Sequence, residues 1–161
     1  MNLNDNFPIL DLSELTAKDR GILQGESFRL KVQELLEIRK ELMFQRNPTL
    51  KHKWKELAQE QFAITRKHFP EQTLELEGIA LGSNLSSEDI TLINNYTDFR
   101  DITINDPSIK TSTPQDHGCS TMAIIESGIN LIGQTWDMHN SSKRFLCVLK
   151  TKQATSQSDR G

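Results

Sequence analysis

Residues 116–121 read Asp116-His117-Gly118-Cys119-Ser120-Thr121, and the character of the chain changes at this stretch. Upstream of it, apolar residues recur every three or four positions, which is typical of amphipathic helices. Downstream of it, short apolar runs alternate with turn residues, which is typical of strands. Helices followed by strands predict an α+β fold. We therefore divide the chain into a mainly helical region, residues 1–118, and the start of a β-rich region, residues 119–150.

The upstream region predicts one short strand and four helices. The strand is Phe7–Leu12, and Asn47-Pro48 should end the first helix because proline disfavours a helical residue before it. Ser86 and Asp89 have the spacing of a capping box at the start of the last helix. The helices are expected at about residues 21–45, 50–68, 71–82 and 87–96. An apolar stripe predicts the buried face of the first helix, and its members are Phe28, Val32, Leu35, Ile38 and Leu42, broadened by Leu36 and Met43.

The downstream region predicts a β-hairpin and a third strand. Residues 120–125 and 131–137 read as the two hairpin strands, joined by a turn at 126–130. The third strand fits residues 144–150. Residues 101–117, before the hairpin, contain two prolines and many small polar residues and predict a loop. Residues 151–161 contain no large apolar residue and predict a disordered tail.

Composition excludes several classes of protein. The chain of 161 residues carries 19 Lys and Arg against 22 Asp and Glu, a net charge of −3. A protein without a basic excess is not a dedicated nucleic-acid binder. The chain has neither the run of about 18 apolar residues that a membrane span needs nor the basic and apolar start of a signal peptide. Its two cysteines, Cys119 and Cys147, exclude a disulfide framework and favour a cytoplasmic location.

The pair Gly118-Cys119 has a specific chemical use. If the bond between them is cut, Cys119 carries a thiol and a free α-amine on one residue. An α-amine has a pKa of roughly 7.7–8.0, so it is partly neutral near pH 7 and can accept the thiol proton. The Cys119 thiol can make the cut itself by attacking the Gly118 carbonyl, which has no Cβ beside it. The alternative is that Cys119 is an ordinary small residue, as most intracellular cysteines are.

The predicted hairpin brings a carboxylate toward this cysteine. Asp137 lies in Gly133-Gln134-Thr135-Trp136-Asp137, at the end of the second hairpin strand. That end should lie beside the start of the first strand, so we expect Asp137 to lie near Cys119. A carboxylate there can hydrogen-bond to a protonated α-amine. The alternative is an exposed Asp at a strand end.

Together these motifs resemble the acyl-coenzyme A:6-aminopenicillanic acid acyltransferase family, the isopenicillin N acyltransferase-like enzymes of the N-terminal nucleophile hydrolases. That family carries Cys-Thr at the nucleophile and Gly-Gln-Asn-Trp-Asp on the following strand. Its upstream motifs are similar to three stretches here: the Gly21 and Gly25 pair, Leu76–Gly82 and Ser86–Asn94. The resemblance covers roughly residues 15 to 150, with the motifs in the family's order. This chain departs from the family at Thr135, where the usual residue is Asn.

The resemblance implies a fold, a chemistry and a set of site residues. The fold would be a helical pro-segment followed by the first strands of an incomplete αββα sandwich. Cys119 would be the nucleophile, freed by autoproteolysis after Gly118, and Asp137 the active-site aspartate, with Thr135, Trp136 and His117 in support. The reaction would be acyl transfer or amide hydrolysis on a small acyl donor such as an acyl-coenzyme A, without a cofactor. Family members are far longer, so the chain is expected to be an N-terminal part that is inactive alone.

Two other interpretations remain open. Residues 15–96 can form a non-catalytic helical interaction module, with residues 119–150 a remnant that is never processed. Alternatively, a thiol–imidazole dyad can form between Cys119 and His117 or His139. The same three residues fit no zinc pattern, because the set lacks a fourth ligand.

Overall fold

A computed structural model describes residues 7–101, 119–126, 129–135 and 140–152. The fold is α+β and mostly helical. Its helices are α1 (Ala17–Ser27), α2 (Arg29–Arg46), α3 (Trp54–His68), α4 (Pro70–Ser83), α5 (Ser87–Asn94) and α6 (Tyr96–Asp101), with 3-10 turns at Pro48–His52 and Asn140–Phe145. Its strands are β1 (Ile9–Asp11), β2 (Thr121–Glu126), β3 (Ile129–Gln134) and β4 (Val148–Lys150).

The described residues form two compact units. The helical unit contains residues 7–101 together with residues 145–152. The hairpin unit contains the described residues between 119 and 144. The predicted loop at 101–117 lies outside the described residues from position 102 onward, and so does the predicted tail from position 153 onward.

The first predicted helix is wrong in one respect, because it is two helices. Phe28 ends α1 and precedes α2, and its backbone angles of φ −119° and ψ 20° are not helical. The two helices have different neighbours: α1 packs mainly on α4, whereas α2 contacts α4, α5 and α6. A single straight helix would not lie along α4 in its first half and also turn toward α5 and α6 in its second. The break therefore depends on tertiary packing, which periodicity does not report.

The other helix ends follow local chemistry. α2 ends at Arg46, and the side chain of Asn47 accepts a hydrogen bond from the backbone N–H of Thr49, so the predicted stop at Asn47-Pro48 is confirmed. α4 ends where Asn84 adopts the left-handed conformation, with φ 58°. The capping box of Ser86 and Asp89 is confirmed at the start of α5.

Four glycines bring the backbones of α1 and α4 into direct contact. Gly21 and Gly25 of α1 face Gly78 and Gly82 of α4, and residue numbers rise together along the interface, so the helices are parallel. A Cβ atom on Gly25 would lie 2.5 Å from the carbonyl oxygen of Ile79. A Cβ on any of the other three would strike a carbonyl oxygen of the facing helix. Only glycine permits this approach, which also allows weak Cα–H···O contacts between the helices.

The buried face of α2 differs from the predicted stripe. Its buried residues are Leu36, Arg39 and Met43, and the guanidinium of Arg39 lies 4.2 Å from the centre of the Tyr96 ring. The predicted stripe is only half-buried, namely Phe28, Val32, Leu35, Ile38 and Leu42. Leu36 and Met43, which broadened the stripe, are thus its most buried members. The largest fully buried side chains of the core are Leu12, Met43, Leu50, Thr73, Ser83, Leu92 and Phe99.

The strands form two separate pairs. β2 and β3 form the predicted antiparallel hairpin, with Thr121 opposite Gln134 and Glu126 opposite Ile129. β4 does not extend this hairpin; it pairs in parallel with β1, with Leu10 opposite Leu149. The prediction of a strand over residues 144–150 is wrong in its first half, since residues 140–145 form a 3-10 turn. That turn begins with Asn140-Ser141-Ser142. Asn and Ser side chains can hydrogen-bond to nearby backbone groups, which competes with the backbone hydrogen bonds of a strand.

Candidate functional site

The candidate nucleophile lies at the open end of the hairpin. Cys119 is exposed, and it precedes the first residue of β2 by two positions. Ser120, between them, is also exposed. The described geometry therefore leaves the Cys119 sulfur accessible to solvent, as an attacking thiol requires.

Thr135 holds the residue that follows the cysteine. The backbone N–H of Ser120 donates to Oγ1 of Thr135 at 2.9 Å, and the backbone N–H of Thr135 donates to the carbonyl oxygen of Ser120 at 2.8 Å. These bonds continue the ladder one position beyond the Thr121–Gln134 pair. The Thr135 hydroxyl thus fixes the peptide next to Cys119, a contact that the sequence did not reveal.

Four of the predicted site residues lie outside the described residues: His117, Gly118, Trp136 and Asp137. The structure brings Thr135 against Ser120, beside Cys119, and the proximity of Asp137 to Cys119 stays a prediction. His139, named in the dyad alternative, also lies outside the described residues.

The second cysteine has a different environment. Cys147 is half-buried, just before β4. Burial raises the pKa of its thiol, while the positive charge of Lys31 acts in the opposite direction. A raised pKa keeps this thiol protonated to higher pH, so it is a poor nucleophile near neutrality. Cys147 falls within the predicted strand 144–150, but in the structure it lies outside β4 and lines a cavity.

That cavity lies inside the helical unit and has a volume of about 200 Å³. Its polar lining comprises Gln24, Lys31 and Asn94, with the thiol of Cys147 beside them. Its apolar lining includes Phe28, Val32, Leu35, Leu76, Ile79 and Ile93. Sequence reasoning missed this site. The apolar stripe that contains Phe28, Val32 and Leu35 was the available signal, but the same pattern also predicts ordinary core packing.

Neither a metal-binding cluster nor a membrane-spanning helix is found among residues 7–101, 119–126, 129–135 and 140–152. These residues contain no group of three or more His, Cys, Asp or Glu side chains able to hold a metal ion. Their helices are too short or too polar to cross a membrane.

Neither a family model nor a curated protein matches this chain. The resemblance described above therefore rests on the motifs alone.

Proposed function

We propose that the protein is a cysteine-dependent acyltransferase or amidohydrolase that acts on C–N amide bonds through a thioester. One observation carries the proposal: Cys119 is exposed at the start of a hairpin whose next peptide is held by Thr135. A nucleophile needs both access and a fixed position, because misplacement of the attacking atom lowers the rate steeply. The motif resemblance supports the same reaction class.

The first step is self-processing. The Cys119 sulfur attacks the carbonyl carbon of Gly118, the C–N bond between the two residues breaks, and the released α-amine takes up the thiol proton. Water then attacks the thioester, leaving a carboxylate on Gly118 and a free thiol on Cys119. The free α-amine then acts as the base that activates the thiol.

The second step is acyl transfer. The Cys119 thiolate attacks the carbonyl carbon of the substrate. The C–N or C–S bond of the substrate then breaks, and the amine or thiol that leaves takes a proton from the Cys119 α-amine. The acyl group then passes from sulfur to an amine or to water. By resemblance Asp137 hydrogen-bonds to the protonated α-amine; in sequence it follows Thr135 by two positions. The proposed substrates are small acyl donors or amides, and both free cysteines support a cytoplasmic location.

The hairpin surface supports a sandwich fold. Ile124 and Ile125 of β2 and Leu131 and Ile132 of β3 are all exposed, and neighbouring residues of a strand point to opposite faces. An isolated two-stranded hairpin is marginally stable in water. Apolar residues on both faces are expected of strands that are covered on two sides, as in the sandwich that the resemblance implies.

Mass spectrometry of the protein isolated from its natural source tests the proposal. We expect two polypeptides that separate between Gly118 and Cys119. Cys119→Ala should abolish the cut, because no thiol remains to attack. The matched control is Cys147→Ala, which should leave processing unchanged. An intact, fully active protein would refute the mechanism.

The second candidate is the non-catalytic helical interaction module. It is favoured by large apolar side chains that the helical unit leaves exposed, notably Leu30 at 80% and Leu81 at 64%. It predicts no processing and no activity that depends on Cys119. The mass measurement above separates the two candidates.

A further inference from the structure

The cavity of the helical unit combines an apolar wall with one positive charge. Among the described residues that line it, Lys31 is the only charged side chain. Lys31 is exposed and forms no ion pair with another described residue. Its charge reaches the cavity, because it acts on the Cys147 thiol in the lining. A ligand that fits this arrangement has an apolar body and an anionic end.

Volume limits the size of the apolar body. An engineered apolar cavity of about 150 Å³ holds benzene. The cavity of about 200 Å³ is somewhat larger, which corresponds to an alkyl chain of roughly six to eight carbons on the same scale. The apolar lining residues Phe28, Val32, Leu76 and Ile79 are half-buried, so the cavity opens to solvent and a ligand can reach it.

We propose that this cavity binds a medium-chain aliphatic carboxylate. The alkyl chain would lie against Val32, Leu35 and Ile79, and the carboxylate beside Lys31. The side-chain amides of Gln24 and Asn94 also line the cavity and can donate hydrogen bonds to the anion. The site lies within the helical unit and does not depend on the chemistry proposed for Cys119.

Cys147 provides a direct readout of occupancy, because its thiol lines the cavity. Sodium octanoate should slow the alkylation of Cys147 by N-ethylmaleimide in a saturable manner, measured by peptide mass spectrometry. Cys119 is the internal control, and its alkylation should not change. Octanamide, which has the same chain without the charge, should protect less. Binding should weaken about fourfold for each methylene removed from the chain.

Two variants test the roles of charge and volume. Lys31→Gln should weaken octanoate binding by about fivefold, the contribution of one partly exposed ion pair. The matched control is Lys67→Gln on the exposed face of α3, which should bind octanoate as the unmodified protein does. Val32→Phe should fill the cavity and abolish protection, with circular dichroism to verify folding.

Three results would overturn the proposal. Octanoate that leaves Cys147 alkylation unchanged up to millimolar concentration would exclude the site. Equal protection by octanamide, or unchanged binding in Lys31→Gln, would exclude recognition of the anion. Because Lys31 is exposed, its substitution should not disturb folding, so the test stands even if Val32→Phe fails to fold.

Discussion

Asp89 combines a capping role with a tertiary ion pair at the start of α5. Its backbone N–H donates to Oγ of Ser86 at 3.2 Å, its carboxylate accepts from the Ser86 N–H at 3.1 Å, and Nζ of Lys40 lies 3.2 Å away. Burial alone raises the pKa of Asp89, but the hydrogen bonds from Ser86 and Lys40 outweigh it, so the pKa lies below its ordinary value. The folded state therefore favours the ionised carboxylate.

This lowered pKa predicts a loss of stability in acid. Ionised Asp89 stabilises the fold above its unfolded-state pKa of about 3.9, and this contribution is lost as the pH falls through the lower folded-state pKa. Ser86→Ala removes the cap and should lower the free energy of unfolding by about 1 kcal/mol at neutral pH. It should also flatten the acid dependence, measured by urea unfolding across the acidic range. The control is Ser87→Ala, one position along, which should change neither the free energy of unfolding nor its acid dependence. Equal acid dependence in Ser86→Ala and the unmodified protein would contradict this account.

At the scale of elements, the α1–α4 pair is the closest packing in the helical unit. The glycine contacts are flanked by polar bonds: Arg20 pairs with Glu75 at 2.9 Å, and Nε of Arg29 donates to the carbonyl oxygen of Gly82 at 2.9 Å. The side chain of Gln33 donates to the carbonyl oxygen of Ser83 at 2.9 Å. α2 thus satisfies carbonyl groups that the end of α4 leaves without helical partners.

Substitution of one interface glycine tests this packing. Gly78→Ala places a Cβ against the backbone of Lys18 and Gly21, which cannot rotate away as a side chain would. Overpacking costs about 1–3 kcal/mol, and the substitution regains about 1 kcal/mol of helix propensity. We expect a net loss of up to about 2 kcal/mol in the free energy of unfolding, measured by chemical unfolding.

The hairpin offers the matched control for this substitution. A Cβ on Gly133 meets only the end of the Met122 side chain, at 3.9 Å. Gly133→Ala should therefore leave stability unchanged or raise it slightly, since alanine restricts the unfolded chain more than glycine does. Equal effects at Gly78 and Gly133 would show that α1 and α4 do not pack through their backbones.

Local signals in the sequence were sufficient for some elements and not for others. The sequence predicted the helix end at Asn47-Pro48 and the Ser86 cap, because both depend on neighbouring residues. Two short apolar runs separated by turn residues predicted the β2–β3 hairpin. The break at Phe28 and the pairing of β1 with β4 depend on residues far apart in the chain, which no local pattern encodes. At the candidate site, the sequence indicated Cys119 through its motif, but it could not reveal the Thr135 contact or the cavity beside Lys31.

At the scale of the whole molecule, the hairpin unit differs from the core of the helical unit in how far its residues are covered from solvent. In the helical unit, Leu12 is fully buried directly after β1, and its N–H donates to the carbonyl oxygen of Lys150 at 2.8 Å. In the hairpin unit, every residue of β2 is exposed. Backbone hydrogen bonds in the hairpin are therefore far more accessible to water than those of the helical core.

This difference predicts two classes of amide hydrogen exchange. Amides in the α1–α4 interface should exchange only by global unfolding, whereas those of β2 and β3 should exchange by local opening and at least about a hundredfold faster. Exchange measured by mass spectrometry at peptide resolution checks this. Comparable protection of the hairpin would mean that another surface covers its apolar faces.

The spacing of the glycines has a further consequence for how α1 and α4 align. Both helices carry their two glycines four residues apart, Gly21 with Gly25 and Gly78 with Gly82. Sliding one helix by a single residue would put Ile22 or Ile79 where a glycine is required, and sliding by a full turn would leave just one glycine matched. The glycine spacing therefore permits close packing of α1 and α4 in one register only. It selects that register during folding from many similar helical alignments.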